Sequence, residues 1–203
     1  MRIGLLADAS KEELLEIKKM VGEAFVTNEL FHEFGDLDNR REIVYKYMDI
    51  YTDYVYESKA MYITEDHKGV VGFIHSKKAP IFPQLKMLFR MVRAIPLKTL
   101  KKFMSHVKQI ENSNKLYSKK AHIDILFVCV DKDYQGKGYA KQLIEAAKKY
   151  ASKENLPLLF DTDMERYARI YEHYGCKLYN QITASNGVTR YNLVWENMKN
   201  GMD

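Results

Sequence analysis

Gln135-Gly136-Lys137-Gly138-Tyr139-Ala140 is the stretch of this 203-residue chain whose residue types and spacing most directly suit chemistry. It follows an apolar, branched run, His122 to Val130, and precedes a strongly helical segment. The first N–H groups of a helix have no internal partner, and the helix dipole leaves partial positive charge there. Glycine has no Cβ, so anionic oxygens can approach the backbone closely. A strand, a glycine-bearing turn and a helix start together make an anion site, here read as one for a diphosphate. Lys137 and Lys141 either add charge to it or are ordinary surface lysines. A dinucleotide-binding turn would need G-x-G-x-x-G after a first strand and an acidic residue about 20 positions on, and this spacing does not fit. A P-loop is excluded by the missing G-K-[ST] ending.

Asp124 is the second candidate, a carboxylate inside an apolar strand, which needs a reason to be there. Period-2 alternation puts His122, Asp124, Leu126, Val128 and Val130 on one face. Asp124 can relay a proton through water, bind a cationic acceptor, or make a structural hydrogen bond; these readings stay open. His122, at the strand entrance, ranks below it as a base. Cys129 points to the opposite face from Val128 and Val130 and its thiol reads as core.

The elements that must position these groups follow from periodicity. Met1 to Ala9 reads as a first strand. Ser10 and Glu13 form a capping-box pattern before a helix over about 10–26. An irregular stretch, 27–39, leads to a second helix ending near Ser58, capped by Asp38 or Asn39. That helix carries Tyr45, Tyr47, Tyr51, Tyr54 and Tyr56 around its circumference, so some face out of the core, either into a cleft or with hydroxyls in water. Ala60 to Lys78 is a hairpin pattern, with Gly72 marking a bulge or a close approach. From Ala79 to Lys120 lysines and arginines face one acidic residue, Glu111, and two short amphipathic helices are expected. They read as a solvated face over a packed one, a lid over an acceptor pocket, or a nucleic-acid or membrane surface. After the glycine turn come a helix ending near Asn155, the buried strand Leu156 to Phe160, and a short helix from Glu165 to Tyr174 stopped by Gly175. A closing hairpin over Cys176–Thr183 and Val188–Met198 follows, turning at Asn186-Gly187.

Composition narrows the class. Nearly half the residues are hydrophobic and net charge is +5, compatible with an anionic ligand without demanding nucleic acid. Cys129 and Cys176 read as free thiols of a reducing compartment. No secretory pattern opens the chain, and no apolar run nears the ~20 residues that span a bilayer, so a cytoplasmic protein with no membrane partner is expected.

Leu126 to Cys176 resembles the GCN5-related N-acetyltransferase (GNAT) superfamily core. Its Gln/Arg-x-x-Gly-x-Gly/Ala signature is matched by Gln135, Gly138 and Ala140, its apolar strand end by Val128-Cys129-Val130-Asp131, and its Tyr before Gly-Phe by Tyr171 before Gly175-Cys176. The resemblance implies an α/β (α+β) fold: a mixed, mostly antiparallel central sheet flanked by helices, one domain over 1–203 with 79–120 as a basic helical insertion. It implies acetyl-CoA as co-substrate and no metal. Backbone N–H groups of Gly136, Lys137, Gly138, Tyr139 and Ala140 would hold the pyrophosphate beside Gln135. The segment Val128, Cys129, Val130 would pair with the pantetheine arm and polarise the thioester carbonyl. Tyr171 would be the general acid, or else a tyrosine packed under the loop. The implied reaction is direct attack of a primary amine, of a small molecule or peptide, in a ternary complex, and the enclosing loops favour a small molecule. Departures are Met164 and Tyr167, where the family often has Asn, and Cys176, where it has Phe. Two other classes remain: a non-catalytic acyl-CoA sensor on the same fold, and a nucleic-acid binder using the basic insertion, although stacking aromatics are not interleaved there. Family members often dimerise, and the final hairpin is where a homodimer would form.

Overall fold

The computed structural model describes residues 2–111, 117 and 120–197. In chain order the described elements are β1 (Ile3–Leu5), α1 (Lys11–Phe25), α2 (Leu37–Glu57), β2 (Met61–Thr64), β3 (Gly69–His75), α3 (Ile81–Ala94), α4 (Leu97–Glu111), β4 (Ile123–Val130), α5 (Tyr139–Glu154), β5 (Leu158–Thr162), α6 (Glu165–His173), β6 (Lys177–Thr183) and β7 (Thr189–Trp195). The strands form one sheet in the order β1-β2-β3-β4-β5-β7-β6. Every neighbouring pair is antiparallel except β4 with β5. The expected strand ends at Met1 and Met198, and positions 112–116 and 118–119 of the basic segment, lie outside the described residues.

Local chemistry accounts for most boundaries. Ser10 and Glu13 close the capping box of α1 from both sides. The second helix starts earlier than Asp38 or Asn39 would place it. Asp36 is the cap: its Oδ1 accepts from Asn39 N–H at 2.9 Å, and Asn39 donates its side-chain amide to Oδ2 at 3.0 Å. The stretch expected to be irregular contains a 3₁₀ turn, Glu29–Phe34, capped by Asn28 and delivering Phe31 and Phe34 to the core. Asn155 ends α5 in the left-handed conformation, and Gly175 follows α6 at φ 82°.

Helices cover both faces of the sheet. On one, α1 and α2 bury Ile17, Val21, Val44, Met48 and Val55 with Phe127 and Cys129 of β4. On the other, α5 and α6 bury Leu143, Ile144, Ala147 and Ala168 with Ile123, Leu158 and Phe160. Helix α4 joins the first layer: Phe103 stacks on Phe31 with centroids 5.7 Å apart and lies 4.8 Å from Phe34. Helix α3 is clamped to α2 by Arg90, whose guanidinium reaches Asp53 at 2.5 Å, the carboxylate that also meets Lys18 of α1 at 2.6 Å. Buried Glu33 ties the 3₁₀ turn to α4 through Lys102 at 2.9 Å and to the β6–β7 turn through the Asn186 amide at 3.2 Å. Burial works to raise the Glu33 carboxyl, but these donors outweigh it and hold the group below the usual carboxylate value.

One irregularity redirects the functional strand. The β3–β4 register shifts between Gly72 and Phe73, which face Phe127 and Ile125 and leave Leu126 bulged. The bulge breaks the period-2 pattern. Val128 and Val130 pack on the α5 side with Ile123 and Ile125, while Leu126, Phe127 and Cys129 face α1 and α2. His122 and Asp124, alternating with Ile123 and Ile125, therefore share the face of α2 and not that of Val128 and Val130, correcting the single-face reading.

Candidate active site

β4 and β5 pair in register only at Ile123–Leu158 and Asp124–Leu159 and then diverge, so β4 is held by β3 alone from Ile125 to Val130. Asp131 N–H donates to the Lys68 carbonyl at 2.9 Å, so alternation turns the backbone of Phe127 and Cys129 to β3 and that of Val128 and Val130 to the gap. Gln135 Nε2 reaches the Val130 carbonyl at 3.3 Å, as that orientation requires. The Val128 amide has no partner among the described residues. A cleft of about 2140 Å³ runs through this gap, with the glycine turn at one end and Tyr47 and Tyr51 of α2 at the other.

At the turn, Gly136 and Gly138 adopt φ of 75° and 83°, which L side chains rarely tolerate, and a Cβ at either would meet nothing within 4 Å. Gly138 caps α5 with no side chain supplying an acceptor. Among the described residues none accepts from the N–H groups of Gly136, Gly138, Tyr139, Ala140 or Lys141. The result is an open cradle of donors at a helix start, the form that holds phosphate oxygens. Tyr139 braces it from outside: its hydroxyl donates to Asp66 in the β2–β3 turn at 2.5 Å. That bond is the main reason its phenol is pushed up to about 12. The Lys137 ammonium lies 4.6 Å from the Tyr134 ring centre and its side chain is not among the cleft's walls, whereas Lys141 is.

Tyr171 reaches the cleft from α6 with its ring centre 5.0 Å from that of Phe160. Among the described residues nothing hydrogen-bonds its hydroxyl. Burial raises its phenol far above the ordinary value, so it stays protonated. Cys129 turns the other way: its thiol lies 3.6 Å from the Met20 carbonyl and burial pushes it up to about 12, while its backbone pairs with Val70. A thiol so placed is inert as a nucleophile.

The far end of the cleft is acidic and ringed by tyrosines. His122 Nδ1 lies 2.8 Å from the Lys120 carbonyl and Nε2 lies 3.1 Å from Asp124 Oδ2. A carbonyl only accepts, so Nδ1 carries a proton, and the carboxylate favours a second proton on Nε2. That hydrogen bond is the leading reason the imidazole is raised above its ordinary value. Beside this pair, Arg190 of β7 grips Asp163 with two bonds, at 2.9 and 3.0 Å. Asp161 accepts from the Asn192 amide at 2.5 Å. Its side chain keeps 31% of its surface exposed, yet the protein packed around it raises the carboxyl, helped by Asp124 and Asp163, although Arg190 and the Asn192 amide oppose this. Tyr47 and Tyr51 form the roof, both phenols raised by burial, Tyr47 to about 12.

The sequence model of the acetyltransferase (GNAT) family matches residues 25–176. The chain belongs to that family. Solved structures agree on the GNAT fold at low identity. An N-acetyltransferase from Staphylococcus aureus Mu50 aligns with TM-score 0.60 and 15% identity over 96% of this chain and all of that one. A protein described as histone acetyltransferase HPA2 and related acetyltransferase, from Corynebacterium glutamicum ATCC 13032, aligns with TM-score 0.61 and 12% identity over 96% of this chain and 94% of its own. The apo form of an agmatine N-acetyltransferase variant aligns with TM-score 0.58 and 11% identity over 96% and 98%. No curated protein sequence matches the chain significantly.

The GNAT family takes acetyl-CoA as its donor. The glycine cradle and the unpaired edge of β4 fit such a donor: one offers N–H groups to a diphosphate, the other a free strand edge to an amide-bearing arm. Among the described residues no cluster of three or more His, Cys, Asp or Glu could hold a metal ion. None of their helices is long and apolar enough to cross a membrane. Sequence reasoning did not find Asp161, Asp163 or Arg190. A signal for the first two exists in the alternation Asp161-Thr162-Asp163 at the end of a buried strand, whereas nothing around Arg190 separates it from any strand arginine.

Proposed function

We propose that this GNAT protein transfers the acetyl group of acetyl-CoA to a primary amine that arrives as a cation, through direct attack in a ternary complex. The carrying observation is the cleft through the β4–β5 gap, which joins a donor cradle to an acidic chamber with Tyr171 at its wall. Acetyl-CoA supplies the thioester when bound. The Gly136, Gly138, Tyr139 and Ala140 amides hold its diphosphate, whereas the Lys137 N–H expected beside them is taken by the Tyr134 carbonyl at 3.4 Å. The β4 edge at Val128 and Val130 aligns the arm and turns a backbone N–H toward the carbonyl oxygen, where negative charge develops.

In the acidic chamber Asp124 and Asp161 attract the ammonium, and Tyr47 and Tyr51 exclude water and offer ring faces to a cation. The amine must lose a proton before it attacks. Asp124, oriented by His122, takes that proton directly or through water. His122 is a poor base because both its nitrogens already face acceptors. As the C–N bond forms and the C–S bond breaks, Tyr171 donates its hydroxyl proton toward the departing sulfur, and the second proton shed by the acylated nitrogen returns to the tyrosinate through water. Its raised pKa keeps that proton in place across the working pH range.

Residues 1–203 act as one catalytic domain in this reading, with the 79–120 segment enclosing the acceptor: Phe103, Val107 and Glu111 of α4 line the cleft. The test is thiol release from acetyl-CoA across a panel of amines, with Tyr171→Phe alongside. The variant should lose about 10²–10⁴-fold in kcat, the span of general acid catalysis, with acetyl-CoA affinity unchanged. A wild-type protein that binds acetyl-CoA but releases thiol with no amine would refute transfer in favour of a sensor.

A further inference from the structure

Helix α3 carries a feature that neither core nor cleft uses. With 3.6 residues per turn, Leu88, Ile81, Val92, Leu85, Phe89 and Phe82 fall within one arc about 120° wide, and no polar residue interrupts it. All six are exposed, Phe82 by 78%, Ile81 by 73% and Phe89 by 67%. The opposite side of the helix, Met87, Met91 and Ala94, packs against Ile43, Tyr47 and Ile50 of α2. The stripe therefore points away from the protein along the whole helix. Scattered exposed apolar residues are ordinary, but a contiguous stripe marks a contact surface.

The charges around it select the partner. No acidic residue occurs from 79 to 110. Lys86 and Arg90 are neutralised by Glu57 and Asp53. Arg93, at the edge of the arc, and Lys98 and Lys101, exposed at the start of α4, have no ion pair among the described residues. A second copy laid on the stripe would set Arg93 of each chain among like charges. An anionic lipid surface complements both features, since a helix lying flat with an apolar arc and cationic flanks is the form that enters a membrane interface. We propose that the α3 stripe docks this protein on anionic lipid, with Phe82, Leu85 and Phe89 at acyl-chain depth and Arg93, Lys98 and Lys101 among the headgroups. The expectation of no membrane partner rested on the lack of a spanning segment, which a surface-lying helix does not need.

The test is co-sedimentation of the full chain with vesicles of phosphatidylcholine plus phosphatidylglycerol, or of phosphatidylcholine alone, at low and high salt. Phe82→Glu/Phe89→Glu is compared throughout, its folding checked by circular dichroism and its oligomeric state by ultracentrifugation. Anionic vesicles should be preferred about a hundredfold, as three unpaired cations imply, and salt should weaken binding. The double variant should lose binding while remaining folded. No sedimentation with either vesicle overturns the proposal, as does equal binding by the variant. A wild-type dimer that the variant dissociates, without vesicle binding, overturns it in favour of a second copy.

Discussion

Gly72 sits where the bulge of β4 meets α2, and replacing it tests whether that junction is rigid. A Cβ there would lie 2.8 Å from Val55 Cγ1 and 3.3 Å from both Leu126 Cβ and Phe127 Cε1. Carbon atoms settle at about 3.5–4.0 Å, so α2 or β3 must give by roughly 1 Å or Val55 must leave its rotamer. Val55 is fully buried. Overpacking of this kind costs about 1–3 kcal/mol. Taking ~2 kcal/mol for Gly72→Ala, and ~2–4 °C per kcal/mol in a chain of this size, Tm should fall by about 4–8 °C. Val55→Ala alone deletes two buried methyl groups at ~0.8 kcal/mol each, roughly 1.6 kcal/mol. Combined, the new methyl occupies the space the valine vacates, so the double variant should cost at least ~1 kcal/mol less than the ~3.6 kcal/mol sum, beyond the ~0.5 kcal/mol scatter of independent sites. Urea unfolding followed by circular dichroism measures all three. Tyr51 lies one turn before Val55 and lines the cleft with Asp124. Gly72→Ala should therefore raise KM for the amine while leaving that for acetyl-CoA in place. Strictly additive costs, or a neutral Gly72→Ala, would refute the rigid junction.

Two further outcomes follow from the charged groups. Asp124→Asn removes the main cause of the raised His122 imidazole, so its NMR titration midpoint should drop toward the ordinary ~6.5, and KM for a cationic amine should rise about tenfold or more. The sign for stability is set by the raised value: the His122–Asp124 contribution is complete below the ordinary imidazole pKa and fades as pH rises through the folded one, so the wild-type advantage over the variant should shrink on the alkaline side. Glu33 runs the other way. Its carboxyl is held low, so its contribution is present above the ordinary carboxylate value and is lost as pH falls through the folded one. Glu33→Gln should be less stable at neutral pH, with a shallower loss on acidification than wild type; parallel denaturation curves from neutral to acid pH would remove Glu33 from the account.

What the chain reveals without its structure is what depends on neighbours in sequence. The glycine turn is such a feature: Gly136, Gly138 and the start of α5 are contiguous, and their conformation follows from local backbone sterics. The capping box of α1, the stop at Asn155 and the order of strands and helices are legible for the same reason, and with them the GNAT resemblance. The cap of α2 shows the limit even locally, because Asp36, Asp38 and Asn39 are all competent caps and only the fold chooses Asp36. The acidic chamber is another matter. Tyr47, Asp124, Asp161 and Arg190 come from α2, β4, β5 and β7, and no periodicity joins positions so far apart. The face of Asp124 escapes the alternation rule because one bulged residue, Leu126, reverses it; the sequence marks Gly72 of β3 for a bulge or a close approach, but only the strand pairing puts the extra residue in β4. The exposure of the α3 stripe is likewise a tertiary outcome. That helix has two apolar faces, and packing on α2 took only the one bearing Met87 and Met91.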